Sequence, residues 1–495
     1  MGAPLGPLKK EVAVIGGGIA GLVAARDCAR LGLGVTVYEA TDAVGGAVAS
    51  HEVAGLTLDS GAESFAVRRG TVADFVDDLG LTDLVVAPNP AGAWLHLPAD
   101  GGGSESHPLP KAGILGIPGS PLADDVRRVL GWRGAWRAWA DRVIPVLKIG
   151  REHSLGELVE KRMGRRTLER LVEPIASGVY SAPANALELD VVAPGLNNAL
   201  TTAGSLSGAV LALRAQAPAG SAVGGLRGGM SQLVAALTRD LDTFGARIRT
   251  ETRVGGLRAT GTADEPNWEL AVEAPVGPDA REGAEPEVAH ADFVIIATPA
   301  AAALDLLAPL GDDARALRDL GWPGPTVVHL ATLVLDAPAL DAAPRGTGVL
   351  VAAGTPGVSA KALTHVSAKW AWVAEAAGPG RHVLRLSYGR AGEPNPAAGL
   401  TDAEFEQLAL RDAATILGVP LPPASVRGFA RTIWGDALSP ATVGARERVR
   451  QVRDAVADVP GLAVTGAWLS GTGLAAVIPD ARDAAARIRR AAVNL

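Results

Sequence analysis

Cysteine is almost missing from this chain. Cys28 is the only one among 495 residues, so an intrachain disulfide, a zinc ribbon and a dithiol redox pair are excluded, and a reducing compartment is the expectation. Phenolic and benzyl side chains are scarce too, at 3 Tyr and 6 Phe. No run of 18 or more uncharged apolar residues occurs, so no spanning helix is expected. The opening M-G-A-P-L-G-P-L-K-K lacks the apolar stretch of a signal peptide, and the chain reads as cytoplasmic. Positive charge is not in excess: 46 Lys and Arg against 53 Asp and Glu leave −7, which provides no field for nucleic acid, so a polyanionic partner would need a local cluster of cations. What is present is a 48% hydrophobic content over a length sufficient for two or three domains and a large core.

The most informative stretch is Val12–Gly21, V-A-V-I-G-G-G-I-A-G. It joins a short apolar strand to a turn in which Gly16, Gly18 and Gly21 fit G-x-G-x-x-G. The first glycine permits the turn and the second admits phosphate to the backbone. The third lets the next helix pack closely, with its N-terminal N–H groups aimed at an anion. A second strand, Val35–Glu39, ends in an acid 23 positions after Gly16 (39 − 16 = 23), where a carboxylate can accept ribose hydroxyls. Together these form a complete βαβ dinucleotide fingerprint.

Further pieces of the same domain recur along the chain. Leu56–Asp59 alternates as a strand, and Thr71–Leu79 reads as a helix. A second glycine turn, Gly224–Gly229, leads to a helix with Leu233, Leu237 and Leu241 at four-residue spacing, and Ile248, Val254 and Leu257 mark short strands. Asp292–Pro299 reads as a doubly buried strand. Gly461–Gly466 is another strand running into glycine, followed by a final helix near Asp480–Val493. The fold class is therefore α/β: a Rossmann-like nucleotide-binding domain built from 1–85, 222–303 and 450–495. An inserted mixed α+β substrate domain comprises 86–109, 206–221 and 304–449, the latter with a helix near Asp402–Ile416, and 110–205 forms a helical insertion. Ala274–His290, rich in Pro, Gly and Glu, reads as a solvated loop.

Additional motifs narrow the class. Asp42–Ala47 holds a second glycine doublet, which an NAD enzyme does not need. With Asp59–Phe65 and Gly466–Leu474, the set resembles the FAD-containing amine oxidase and protoporphyrinogen oxidase superfamily. Pro108–Pro118, Ser154–Leu158, Val172–Tyr180 and Gly204–Leu206 are similar to the bacterial oxidases that aromatise coproporphyrinogen III. That resemblance covers nearly the whole chain. It implies FAD, with the pyrophosphate on Gly16, Gly17, Gly18, Ile19, Ala20 and Gly21, the adenosine ribose at Glu39 and Ala40, and the diphosphate side at Gly45, Gly46 and Ala47. Gly61, Ala62, Glu63 and Ser64 would lie nearest the flavin ring, Val254 at the adenine, and Trp434 near the flavin. Gly473, Leu474, Ala475, Val477 and Ile478 would set the last helix at the flavin pyrimidine, where a helix N-terminus favours the anionic reduced ring. Two departures stand out: Ala47 replaces a usual Arg or Lys, and Ala475-Ala476 replaces a usual Pro and Gly.

The resemblance implies a porphyrinogen substrate, molecular oxygen as acceptor, hydrogen peroxide as by-product and a ferrochelatase as partner. Four propionates on coproporphyrinogen call for local cations, and Arg69, then Lys111, are the candidates. No metal set and no general base is named; His329 and His365 read as packed core residues. Protoporphyrinogen IX is the alternative substrate. A non-catalytic porphyrin-binding protein that has lost FAD is the alternative of another class, motivated by Ala47 and Ala475-Ala476. An amine oxidase lacks candidates for the paired aromatic cage. Finally, Val129, Trp132, Trp136, Trp139 and Val143 follow helical spacing with Arg127, Arg128, Arg133, Arg137 and Arg142 between them. Residues 124–143 could form either a core stripe or an interfacial helix for an anionic membrane or a partner.

Overall fold

The strand Glu11–Ile15 lies at the centre of a five-stranded parallel sheet whose members come from widely separated parts of the chain. The computed structural model describes residues 10–67, 70–145, 152–216, 223–262, 264–273, 287–324, 326–435 and 441–494. In spatial order the strands are Arg247–Arg249, Gly34–Tyr38, Glu11–Ile15, Phe293–Ile296 and Leu462–Val464. Alternate residues supply the two faces. Val12, Val14 and Ile295 pack with Leu22, Leu233, Leu237 and Leu241, whereas Ala13, Ile15, Val294 and Ile296 pack with Leu257, Trp268 and Leu270. Phe293–Ile296 is buried throughout, as a strand covered on both faces must be. The helices Ile19–Ala29 and Leu474–Asn494 share the first of these cores. Arg26, 2% exposed, pairs with Asp78 and Asp240, tying the first helix to Thr71–Asp78 and Ser231–Thr243.

A second, seven-stranded sheet runs in the order Val426–Trp434, Val328–Asp336, Arg381–Tyr388, Ala362–His365, Gly348–Val351, Ala93–Pro98, Ser104–Pro108. Helix Asp402–Leu417, started by a capping box between Thr401 and Glu404, covers one face through Phe405, Ala409 and Ile416 against Leu333, Leu363 and Leu386. Helices between Leu155 and Ala215 form a further core with Leu95, Leu97 and, at its edge, Leu350.

Four local expectations change. The final helix begins at Leu474, six residues before Asp480 (480 − 474 = 6), and carries Pro479 inside it; burial of Leu474, Val477 and Ile478 against the first helix overrides the proline. Gly224 and Gly225 belong to a strand, Val223–Leu226, pairing with Phe65–Ala66 and Val85–Val86. There the missing side chain admits Trp370, since a Cβ on Gly225 would come within 2.8 Å of its ring. The segment Ala274–His290 is not loop throughout: Glu287–Ala291 is a strand beside Trp268–Val272, and 274–286 lie outside the described residues. The stripe does not form one core face: Val129 is buried and Trp139 half-buried, whereas Trp132, Trp136 and Val143 are exposed. Gly131, at φ 67° and ψ 170°, breaks Asp124–Trp139, and the helix buries Val126, Val129, Leu130, Ala135 and Ala138 while Trp132 and Trp136 stay 60% and 51% exposed. Arg127 stacks on Trp132 at 4.3 Å. Among the described residues no helix is long and apolar enough to cross a membrane.

Candidate active site

The glycine turn sits at the carboxyl end of the central strand, the position where open parallel sheets bind ligands. Gly16 adopts φ 106° and its N–H donates to Tyr38 O at 2.8 Å. A Cβ on Gly21 would lie 1.9 Å from Gly16 O, whereas one on Gly18 would meet nothing within 4 Å. Gly21 is small because the helix touches the turn; Gly18 is small with no protein neighbour to require it, and so leaves room for a ligand. Gly18 caps the helix without a side chain, so the first-turn N–H groups of Ile19, Ala20 and Gly21 have no intrahelical acceptor and suit an anion.

The other motifs close around this turn. Gly45 N donates to Gly17 O at 2.8 Å, laying Gly45–Ala47 over Gly17 and Gly18. Glu39 is held at both oxygens: Oε2 accepts Gly17 N at 2.7 Å, and Oε1 accepts Thr41 N at 2.9 Å and Thr41 Oγ1 at 2.8 Å. A carboxylate offers about four lone-pair sites, so Oε2 keeps one for a hydroxyl. Ala40 is exposed beside it. Thr252 N donates to Glu39 O at 2.8 Å, bringing the lead-in to Val254 alongside. At the other end Ala62 N donates to Ala47 O at 2.9 Å. A Cβ on Gly61 would fall 2.1 Å from that same oxygen and 2.9 Å from the Trp434 ring, and Trp434 Nε1 donates to Ser60 O at 3.0 Å. Gly473, at φ 98°, also leaves open space where a Cβ would be, and Leu474, Val477 and Ile478 share a core with Ile19 and Ala20. Ala475 is half-buried.

An ion-pair knot fixes the loop Asp59–Ser64. Glu63 meets Lys369 at 2.6 Å and Arg385 at 3.0 Å, and Arg385 Nη1 donates to Gly61 O at 2.8 Å and Asp59 O at 3.2 Å. Burial alone would raise the Glu63 carboxyl; the two cations outweigh it and hold it below the usual range. Asp59 has less help. Burial pushes it up to about 6, against an N–H from Met230 at 2.8 Å. Lys369 and Arg385 were not readable as site residues. The signal was an acid, Glu63, in an apolar motif, which demands a cation without saying which. Arg68 and Arg69 lie outside the described residues. Lys111 is exposed, its N–H bonding Asp125 Oδ2 at 3.1 Å near the start of helix Asp124–Trp139, not at the glycine groove. His329 and His365 are buried on the seven-stranded sheet.

A profile of flavin-containing amine oxidoreductases matches residues 19–489, nearly the whole chain. The chain belongs to the flavin-containing amine oxidoreductase family. Among its relatives, the coproporphyrinogen III oxidase of Mycobacterium tuberculosis (strain H37Rv) is 30% identical over 482 residues, covering 95% of each chain. That of Bacillus subtilis (strain 168) is 27% identical over 96% of each. A solved structure from Exiguobacterium sp. 255-15, provisionally named protoporphyrinogen oxidase, superposes with a TM-score of 0.80 at 27% identity, covering 98% of this chain and 100% of its own. The family resemblance carried by the motifs is thus borne out. The amine oxidoreductase fold places this chain among FAD-dependent oxidoreductases, and its glycine-lined cradle fits that cofactor: open space at Gly18 and Gly473, free helix N–H groups, and a fixed acid at Glu39.

Proposed function

We propose that this flavoenzyme carries out the oxygen-dependent, six-electron oxidation of coproporphyrinogen III to coproporphyrin III in haem biosynthesis, in the cytoplasm. The observation that carries the reading is the 95% mutual coverage with a relative of that name, joined to a groove assembled from the same motifs. Bound FAD would supply a two-electron oxidant, and three rounds would take three hydrides and three protons from the porphyrinogen, in sum four meso C–H and two pyrrole N–H hydrogens, with three oxygen molecules reduced to hydrogen peroxide. The chain's part is to bind, orient and exclude water. Gly16–Gly21 and Gly45–Ala47 hold the diphosphate, Glu39 and Ala40 the ribose, and Val254 the adenine. Gly61–Ser64, Trp434 and the helix start Gly473–Ile478 frame the ring. Arg385, anchored to Glu63, stiffens Gly61 against it. Arg69 and Lys111 serve the propionates. The division into an FAD domain, a substrate domain and a helical insertion at the boundaries given above belongs to the same proposal.

Protoporphyrinogen IX is the second reading, favoured by the name of the Exiguobacterium structure. Anaerobic mixing of the FAD-loaded protein with each porphyrinogen and with a primary amine tests both. Flavin bleaching fastest with coproporphyrinogen III is expected. Bleaching fastest with protoporphyrinogen IX selects the second reading, and bleaching by the amine alone overturns both. Residues 124–143 are further proposed to touch an anionic membrane surface, supported by the outward Trp132 and Trp136 with the exposed Arg133 between them.

A further inference from the structure

Two cations lie in the seam between the helical insertion and the seven-stranded sheet; among the described residues no carboxylate reaches ion-pairing distance of either, and Glu173 and Glu393 act on Arg390 only through space. Lys361 is 1% exposed and its Nζ donates to Ser181 Oγ. Arg390, half-buried, donates from Nη2 to Val351 O at 3.1 Å, and its Nε is buried with no partner. Other buried cations of the same layers are matched: Arg162 with Asp141 at 2.7 Å, Arg170 with Glu105, Arg385 with Glu63. A buried lysine without a counter-charge is costly in its charged form, which a carboxylate brought in from outside the chain would stabilise.

The position of the pair says where that anion belongs. Ala362 is the register partner of Ser387, yet Lys361 N also donates to Ser387 O at 2.8 Å. Lys361 therefore enters the strand Ala362–His365 beside Ser387. Ser387 is two residues from Arg385 and shares its sheet face, about 7 Å along the strand. Arg385 is the side chain that grips Gly61 O at 2.8 Å, beside Trp434. The helical insertion covers the neighbouring part of this face. A Cβ on Gly178 would lie 2.6 Å from Leu350, the register partner of Ala362. Ser181, in the left-handed region at φ 55°, is gripped twice, by Lys361 Nζ and by Ala391 N, which donates to its carbonyl at 2.6 Å. Burial, with Arg390 adding to it, brings the Lys361 ammonium down to about 7, and a carboxylate set beside it would favour the protonated form again.

We propose that Lys361 and Arg390 form a carboxylate subsite taking one propionate of the porphyrinogen, with Arg390 making the forked contact and Lys361 and Ser181 backing it. The proposal rests on the porphyrinogen reading above and adds to it a specific pair of residues for one carboxylate.

The test uses the FAD-loaded enzyme with coproporphyrin III and its tetramethyl ester, binding being read by porphyrin fluorescence. Wild type is expected to prefer the free acid. Arg390→Met and Lys361→Met should weaken free-acid binding about 10-fold and leave ester binding unchanged. KM for coproporphyrinogen III should rise by a similar factor at nearly constant kcat. Arg390→Lys, which keeps charge but loses the fork, should fall between. If Lys361→Met fails to load FAD, the Arg390 pair decides the matter. A wild type that prefers the acid while the methionine variants keep that preference undiminished overturns the subsite and leaves the proposed function standing. A wild type that neither binds nor oxidises the porphyrinogen overturns both.

Discussion

At the scale of single residues the glycines separate into those that close protein contacts require and those with open space beside them, proposed to receive a ligand. Gly18 has φ −68° and ψ 176°, extended backbone open to any residue, and a Cβ there meets nothing. Gly18→Ala should therefore leave the apoprotein's melting temperature almost unchanged, since an alanine at that cap costs only a few tenths of a kcal/mol to about 1 kcal/mol. FAD affinity, titrated by flavin fluorescence quenching, should fall by about 10-fold or more, because the new methyl occupies the space the pyrophosphate needs. Gly21→Ala should instead disturb folding itself, its Cβ being 1.9 Å from Gly16 O. Asp59 offers a pH test. Its folded pKa, about 6, lies above the ordinary 3.8, so between those values the native chain keeps a proton that the unfolded chain has lost. Its contribution is most favourable below about pH 4 and declines as pH rises through 6. Asp59→Asn, which retains an oxygen for Met230 N–H, should match wild type in urea at pH 4. At pH 8 it should exceed wild type by about 1 to 3 kcal/mol; equal pH slopes for the two proteins would show that Asp59 is not held protonated.

Between elements, the decisive contact is the one from the loop Asp59–Ser64 to the strand Arg381–Tyr388. Glu63 is nearly enclosed between Lys369 and Arg385, with side-chain exposures of 11%, 17% and 13%. Removing one partner of a buried pair leaves an uncompensated charge. Glu63→Gln should lower the urea midpoint by the equivalent of about 3 kcal/mol and reduce FAD occupancy, because Arg385 then no longer holds Gly61 in place. A separate element carries the membrane proposal. Trp132 and Trp136 pack against little of their own fold, so replacing both by Ala should leave stability within about 0.5 kcal/mol. Co-sedimentation with vesicles of anionic phospholipid should drop, and retention at wild-type level would exclude the helix as the contact. Sequence periodicity could not decide between core and surface here. Gly131, whose φ of 67° turns the helix axis, rotates the second half, so the Val and Trp positions that share one ideal helical face end on different sides.

Over the whole molecule, the groove proposed for FAD is assembled from segments far apart in sequence, so binding there would be folding energy for all of them. FAD at about 100 times its Kd should add about 2.7 kcal/mol of apparent stability, seen as a rise in melting temperature of the apoprotein on titration. The dinucleotide fingerprint was legible because its physics is local: the turn glycines, the helix that follows and the acid at Glu39 lie within one βαβ unit, and spacing fixes their geometry. Strand identity was legible for Phe293–Ile296, whose unbroken apolar run leaves no other burial. Trp434 against Ser60, 374 positions away, and Lys369 against Glu63, 306 away, could be approached from the chain only by resemblance or not at all, since separation along a polymer carries no through-space distance. By itself, then, the sequence determined the nucleotide-binding unit, the alternation of elements and the family. Only tertiary packing decided which cations neutralise Glu63, which come together at Lys361 and Arg390 without a direct ion pair among the described residues, and which tryptophans face water. Charge pairing and burial depend on neighbours that meet only after the sheets and the helical insertion have closed together.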